Sequence, residues 1–268
     1  MAVSPKIAGV GLAAVALALT VTGVVLAATD PNAGGNSKDP LALNGYPPRS
    51  AQLHVVVSTG QAYNVTADLN VDFSTNAVAA DVQIPLLFSA THLDLRLVGR
   101  HIYATSPNLG AIIGSKWVSV PTPAASLYGL SLEMTKPDIS LISGFTQETV
   151  THVGYLTTYS YHRDNVAIRT PTGLPFAVPT RAAIDFSITV GRQGELTATS
   201  FTVTSTRSTA SVAVTVTSYN RGAAVAAPPA GDVTAITSAQ IARIFGSTSI
   251  GNLFSPKSIS SLGQIRLS

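Results

Sequence analysis

No cysteine occurs anywhere in the 268 residues. Disulfides, thiol nucleophiles, zinc–thiolate sites and cysteine-linked lipid are therefore excluded, and the fold must hold by packing alone. Charge is scarce as well: Asp, Glu, Lys and Arg make up 11% of the chain, and the formal net charge is only +3. The 16 Lys and Arg are scattered, with Arg96 and Arg100 the nearest thing to a local pair. A phosphate-binding footprint needs clustered cations, so no nucleic-acid partner is expected, although weak attraction to an anionic membrane surface fits this charge. Aromatics reach 6% against 46% hydrophobic residues overall, so the apolar content is mostly Ala, Val, Leu and Ile. Together with plentiful Ser, Thr and Gly, this is the composition of a sheet-dominated envelope protein rather than a helical cytosolic enzyme. The catalytic signatures G-x-S-x-G, S-x-x-K and H-E-x-x-H are missing too.

What is present is alternation. From Tyr63 to Phe73 the chain reads YNVTADLNVDF, with apolar or aromatic residues at every odd position and polar residues between them. Period two without an error means a strand with one hidden and one wet face. The pattern predicts further strands at Leu53–Ser58, Gln61–Phe73, Ala77–Leu87, His92–Val98, Ile102–Thr105, Trp117–Val120, Thr149–Arg163, Ala182–Val190, Leu196–Ser205 and Ser211–Tyr219. Short, sequential strands joined by turns make an antiparallel meander the simplest topology.

Outside the strands, Ile7–Ala28 carries no charge and would reach about 33 Å as a helix, enough to cross a hydrocarbon core. Lys6 before it orients the remainder outward, and Val25-Leu26-Ala27 has the form of a signal-peptidase site. Residues 1–28 are thus a signal peptide or a membrane anchor, 29–49 a flexible tether, 50–234 the main domain and 235–268 a C-terminal extension. Ala124–Phe145, broken at Pro137, reads as two short helices. Thr237-Ser238-Ala239-Gln240 has the form of a capping box before a short helix ending at Gly246. Gly222–Gly231 is a linker or an extended edge.

Few residues suggest chemistry. His92 and Asp94 share one strand's wet face with His101 nearby, a set able to relay a proton or bind metal, but a solvated strand face is the plainer reading. No metal or other cofactor is expected. GAIIGSK from Gly110 has the wrong spacing for a phosphate loop. Tyr155, Tyr159 and Tyr161 could border a ligand mouth, because a phenol has an apolar body and a polar tip. The wide hidden face is the larger feature. A few short helices would bridge it without filling it, leaving space for acyl chains at roughly 0.8 kcal/mol per buried methylene. A conventionally filled α+β core fits the periodicity equally well.

Several segments carry a resemblance: VTADLNVDFSTN from Val65, DLRLVGRHIYATSP from Asp94, KWVSVP from Lys116, ITVGRQGELTATSFTVTS from Ile188 and SYNRGAAVAAPPAGDVTAIT from Ser218. In order and character they resemble the mycobacterial LppX/LprA/LprF/LprG family of envelope lipoproteins over roughly two-thirds of the chain. The resemblance implies an α+β fold: a curved antiparallel β-sheet, a half-barrel, with a few short helices over its concave face. It also implies non-enzymatic binding and transport of a di- or triacylated lipid or lipoglycan. The expected lining is Val65, Leu69, Val71, Val82, Ile84, Leu95 and Leu97, with Trp117, Tyr155 and Tyr159 at the rim. Expected partners are that lipid, a membrane and an envelope transporter. The expected location is exported: the outer face of the cytoplasmic membrane, the cell wall or the periplasm. The family's acylated cysteine is absent, since Leu26-Ala27-Ala28 is followed by Thr29, and the tail beyond Thr234 is longer than the family's. A membrane-tethered structural or protein-interaction module with a closed core is the alternative.

Overall fold

The computed structural model describes residues 49–58, 64–75, 77–85, 90–107, 114–121, 146–169, 181–192, 194–206, 209–236 and 266–267. Alternation sets their architecture. Thirteen strands occur among them: β1 (Ser50–Ser58), β2 (Asn64–Asp72), β3 (Ala77–Pro85), β4 (Ala90–Val98), β5 (His101–Thr105), β6 (Trp117–Pro121), β7 (Thr146–Val153), β8 (Leu156–Arg169), β9 (Arg181–Val190), β10 (Leu196–Thr204), β11 (Thr209–Tyr219), β12 (Val233–Ala235) and β13 (Arg266–Leu267). All belong to one sheet, in the order β12-β6-β5-β4-β3-β2-β1-β11-β10-β9-β8-β13, with β7 also paired to β8. Two antiparallel meanders, β1–β6 and β7–β11, are thus joined through β1 and β11, where Val55 lies opposite Val214. That joint is non-local and could not be read from neighbouring strands.

Turn chemistry fixes the strand ends. Asp72 closes β2 by accepting hydrogen bonds from the Ser74 amide (3.0 Å), the Ser74 hydroxyl (2.6 Å) and the Thr75 amide (3.3 Å), an Asx-type turn. These bonds hold its carboxyl below the usual carboxylate range. Thr149–Arg163, expected as one strand, is instead a hairpin. Gly154 at φ +60° and Tyr155 form a two-residue turn between the paired residues Val153 and Leu156, with glycine in the first central position as a II′ turn requires.

The α+β expectation is corrected: among the described residues the fold is all-β, and its helical content is one 3-10 turn, Ala230–Asp232. The helices expected at Ile7–Ala28, Ala124–Phe145 and Ser238–Phe245 lie outside the described residues. No described helix covers either face of the sheet, and none is long and apolar enough to cross a membrane. The described segment that does cross the sheet, 221–229, forms neither helix nor strand before the 3-10 turn. Pro228 and Pro229 lack the amide hydrogens a helix needs there.

The core lies on one face. Leu53, Val55 and Val57 of β1, Val65, Ala67, Leu69 and Val71 of β2, Val78, Ala80 and Val82 of β3, and Val212 and Val214 of β11 form one buried cluster. Ile188, Val190 and Leu196 form a second, with Val216 packed against both. Burying each such Val or Leu contributes about 1.5–3 kcal/mol before the entropy of ordering is set against it.

Candidate functional site

Cross-strand register brings the expected lining together. Val71 lies opposite Val78, which lies opposite Leu97; Leu69 lies opposite Ala80, which lies opposite Leu95. Directly opposed residues in an antiparallel pair share a face, so these side chains make one apolar surface. Val65, Leu69, Val71 and Val82 are buried in it, and Leu95 and Leu97 are half-buried against it. Position 84 falls on the same face, opposite Thr91, but the Ile84 side chain is outside the described set. Sequence reasoning leaves β1 and β11 out of the lining, although Leu53, Val55, Val212 and Val214 lie at its centre. The period-two runs at 53–57 and 212–216 are the available signal; what periodicity lacks is that the two strands adjoin.

The expected rim does not assemble. Tyr159 is half-buried beside Ile188 on the apolar face. Tyr155 stands at the β7–β8 turn, 69% exposed. Trp117 lies on the opposite, polar face, where the Arg96 guanidinium sits 4.8 Å from its ring centroid.

That polar face has a structure of its own. The chain leaves β11 at Asn220 and crosses the sheet as a strap. Asn70 Nδ2 donates to the Ala223 carbonyl (2.6 Å), and Arg96 donates to the Ala226 carbonyl (3.0 Å). Val225 and Pro228 are buried along it. Lys116 pairs with Asp232 (3.5 Å), and β12 then adds to β6 in parallel. Gly222 leaves space for the Asn70 amide where the strap begins, since a Cβ there would displace Asn70 Oδ1. A groove of about 470 Å³ opens on this face, bordered by Asp68, Asn70, Asp81, Asp94, Arg96 and Trp117.

Three of those residues form an unusual row. Asp68 lies directly opposite Asp81, and Asp81 directly opposite Asp94. Like charges in such positions repel. His54 flanks the row, its Nδ1 2.7 Å from Asp68, and His92 Nδ1 lies 3.6 Å from Asp81. Among the described residues no group of three potential ligands is placed to hold a metal ion. His101 does not join His92 and Asp94. It pairs with Val98, while Asp94 pairs with Thr105, four residues or roughly 13 Å further along β5.

Elsewhere on the polar face, His162 sits between two carboxylates. Its Nδ1 is 2.7 Å from Asp185 and its Nε2 3.2 Å from Asp164. The Asp185 hydrogen bond, followed by that to Asp164, raises its pKa above 6.5. Tyr219 OH donates to the Leu196 carbonyl (2.8 Å). Burial, assisted by the charge of Glu195, pushes its pKa up to about 12, so the phenol stays neutral.

No family model and no curated protein matches the chain. Among solved structures, an uncharacterized conserved protein from Thermus thermophilus aligns over 69% of this chain and 91% of its own, at 8% identity and a TM-score of 0.37. A likeness that slight says nothing about ligand or chemistry.

Proposed function

We propose that this protein is a non-enzymatic lipid carrier of the cell envelope that holds acyl chains along the apolar face of its sheet. One observation carries the reading: the unbroken aliphatic surface from β4 through β3, β2 and β1 to β11, built of Val, Leu and Ala. Such a surface offers no hydrogen bonds and no charge, so it suits a ligand part that needs neither. Each methylene buried there contributes roughly 0.8 kcal/mol, so about a dozen offset the several kcal/mol of lost motional freedom. Ala67 and Ala80 place small side chains at the middle of that face. The resemblance to the LppX/LprA/LprF/LprG lipoproteins extends this to a di- or triacylated lipid or lipoglycan, carried outside the cytoplasmic membrane and handed on at a membrane or to an envelope transporter. The apolar segment Ile7–Ala28 supplies export or anchoring in place of the missing acylated cysteine.

Native mass spectrometry of the purified chain, paired with uptake from liposomes holding a labelled diacyl lipid, tests the proposal. A bound lipid mass and saturable uptake are expected, both reduced by Ala80→Phe with the fold intact by circular dichroism. A ligand-free mass together with no uptake would overturn it and favour the interaction-module reading.

A further inference from the structure

The described residues expose three large hydrophobic side chains, and all three fall in one hairpin: Val150 at 41%, Val153 at 74% and Tyr155 at 69%. Single exposed apolar residues are ordinary, but Val153 and Tyr155 stand together at the hairpin's tip, where they mark a contact surface, while Val150 lies further down β7 opposite Tyr159. The register shows what surrounds that tip. Thr157 pairs with Val190, so the β7–β8 turn and the 191–194 turn project from the same end of the sheet. Leu196 opposite Val190, Tyr219 opposite Ala51 and Val98 opposite His101 carry that end across to the start of β1 and the β4–β5 turn.

Every one of these neighbouring segments presents an arginine: Arg192 in the β9–β10 turn, Arg221 after β11, Arg49 before β1 and Arg100 in the β4–β5 turn. All four are exposed, and none is ion-paired among the described residues. The described carboxylates at this end are turned inward. Asp72 is 6% exposed and occupied by its own turn, and Glu195 is folded against Gly191. Arg100 and Tyr155 occupy equivalent second positions of two-residue turns, each after a glycine at φ +60°.

We infer that this end of the sheet docks on an anionic membrane surface, with Val153 and Tyr155 entering the headgroup region and Arg192, Arg221, Arg49 and Arg100 meeting lipid phosphates. An apolar side chain beside a phenolic residue at the turn, set among unpaired cations, is the pattern that interfacial binding requires. Neither part suffices alone: the apolar pair is small, and the charge is screened by salt. The inference goes beyond the carrier reading and does not depend on a bound cargo.

Because the full chain has no cysteine, Val153→Cys can be labelled uniquely with an environment-sensitive fluorophore. Thr206→Cys, exposed in the β10–β11 turn at the opposite end, is the control. Vesicles of phosphatidylcholine mixed with phosphatidylglycerol are compared with phosphatidylcholine alone. Any tethering through Ile7–Ala28 is common to both labelled proteins, so the contrast between the two labels and the two lipids carries the result. A blue shift is expected at position 153 with the anionic vesicles, and little at 206. The vesicle concentration giving half the shift should rise roughly fivefold per arginine removed in R192Q and R221Q, while the lysine variants at both positions stay close to the parent. No shift at 153, an equal shift at 206, or an equal shift with neutral vesicles would overturn the inference. Cargo is read separately by native mass, so a chain that docks without bound lipid keeps this inference and loses the carrier reading.

Discussion

Two faces of the same strands carry opposite kinds of side chain. In β2 and β3 the buried face sets Ala67, Leu69 and Val71 opposite Val82, Ala80 and Val78. One residue along, the other face holds Asp68 and Asp81, set against each other and then against Asp94. The buried face fixes the register, because a slip of one residue would send Val82 into water and Asp81 into the core. The polar face accepts that register even where it opposes three carboxylates, with His54 and His92 placed beside the row. Stability is thus decided on one side of the sheet, and the other side is free to carry charge, a groove and a strap.

Substitutions that exchange the two characters give the sharpest test of this contrast. Val82→Asp puts an unpaired carboxylate at a site with 0% exposure. It should cost several kcal/mol and leave little folded protein by denaturant titration. Leu53→Ala, on the same face in β1, should cost about 2–5 kcal/mol. If either shifted the midpoint as little as a surface change, the single-face core would be refuted. On the polar face the strap is the test. Arg96→Ala removes both the Ala226 hydrogen bond and the Trp117 contact and should cost about 1–3 kcal/mol, with faster proteolysis within 223–229. Asp81→Asn should raise stability by roughly 0.2–1 kcal/mol, because it relieves two like-charge oppositions; loss of stability would mean that the contact with His92 outweighs the repulsion.

The smallest effect concerns pH. The His162 pKa is raised in the folded state by Asp185 and Asp164, so the histidine binds its proton more tightly folded than unfolded. Its contribution is complete below about 6.5, the unfolded value, and is lost as pH climbs through the higher folded value. Thermal stability across this window should decline slightly with rising pH, and Asp185→Asn should flatten the decline. An unchanged slope in that variant would assign the pH dependence to other groups.

Much of the sheet is legible in the sequence, for a physical reason. A face buried on one side forces period two, and YNVTADLNVDF shows it without interruption, so β2, β3 and the apolar set Val65, Leu69, Val71, Val82, Leu95 and Leu97 follow from pattern alone. Turns are harder. Val153-Gly154-Tyr155-Leu156 merges into one long strand on the pattern, because a two-residue II′ turn needs only one glycine and leaves the flanking alternation intact. The pairing of β1 with β11 is invisible, since periodicity says which way a side chain points and nothing about which strand lies beside it. Trp117 falls on the face opposite to the expected rim for a related reason. In Trp117-Val118-Ser119 the valine takes the buried face and the larger apolar ring takes the polar one, where Arg96 lies over it. The helices expected from the break in alternation at Ala124–Phe145 and from the capping box at Thr237 lie outside the described residues.

The joint between β1 and β11 also governs how the polypeptide assembles as it is made. Ser50–Ser58 can pair at once with β2, but its other edge waits until Thr209–Tyr219 has emerged, after some 150 further residues of synthesis. Closing so long an interval is a slow, late step. Until then the growing chain presents an unpaired strand flanked by Val, the kind of edge that seeks partners on neighbouring chains. Delivery of this polypeptide across a membrane in extended form, with both meanders released together, would shorten that exposure.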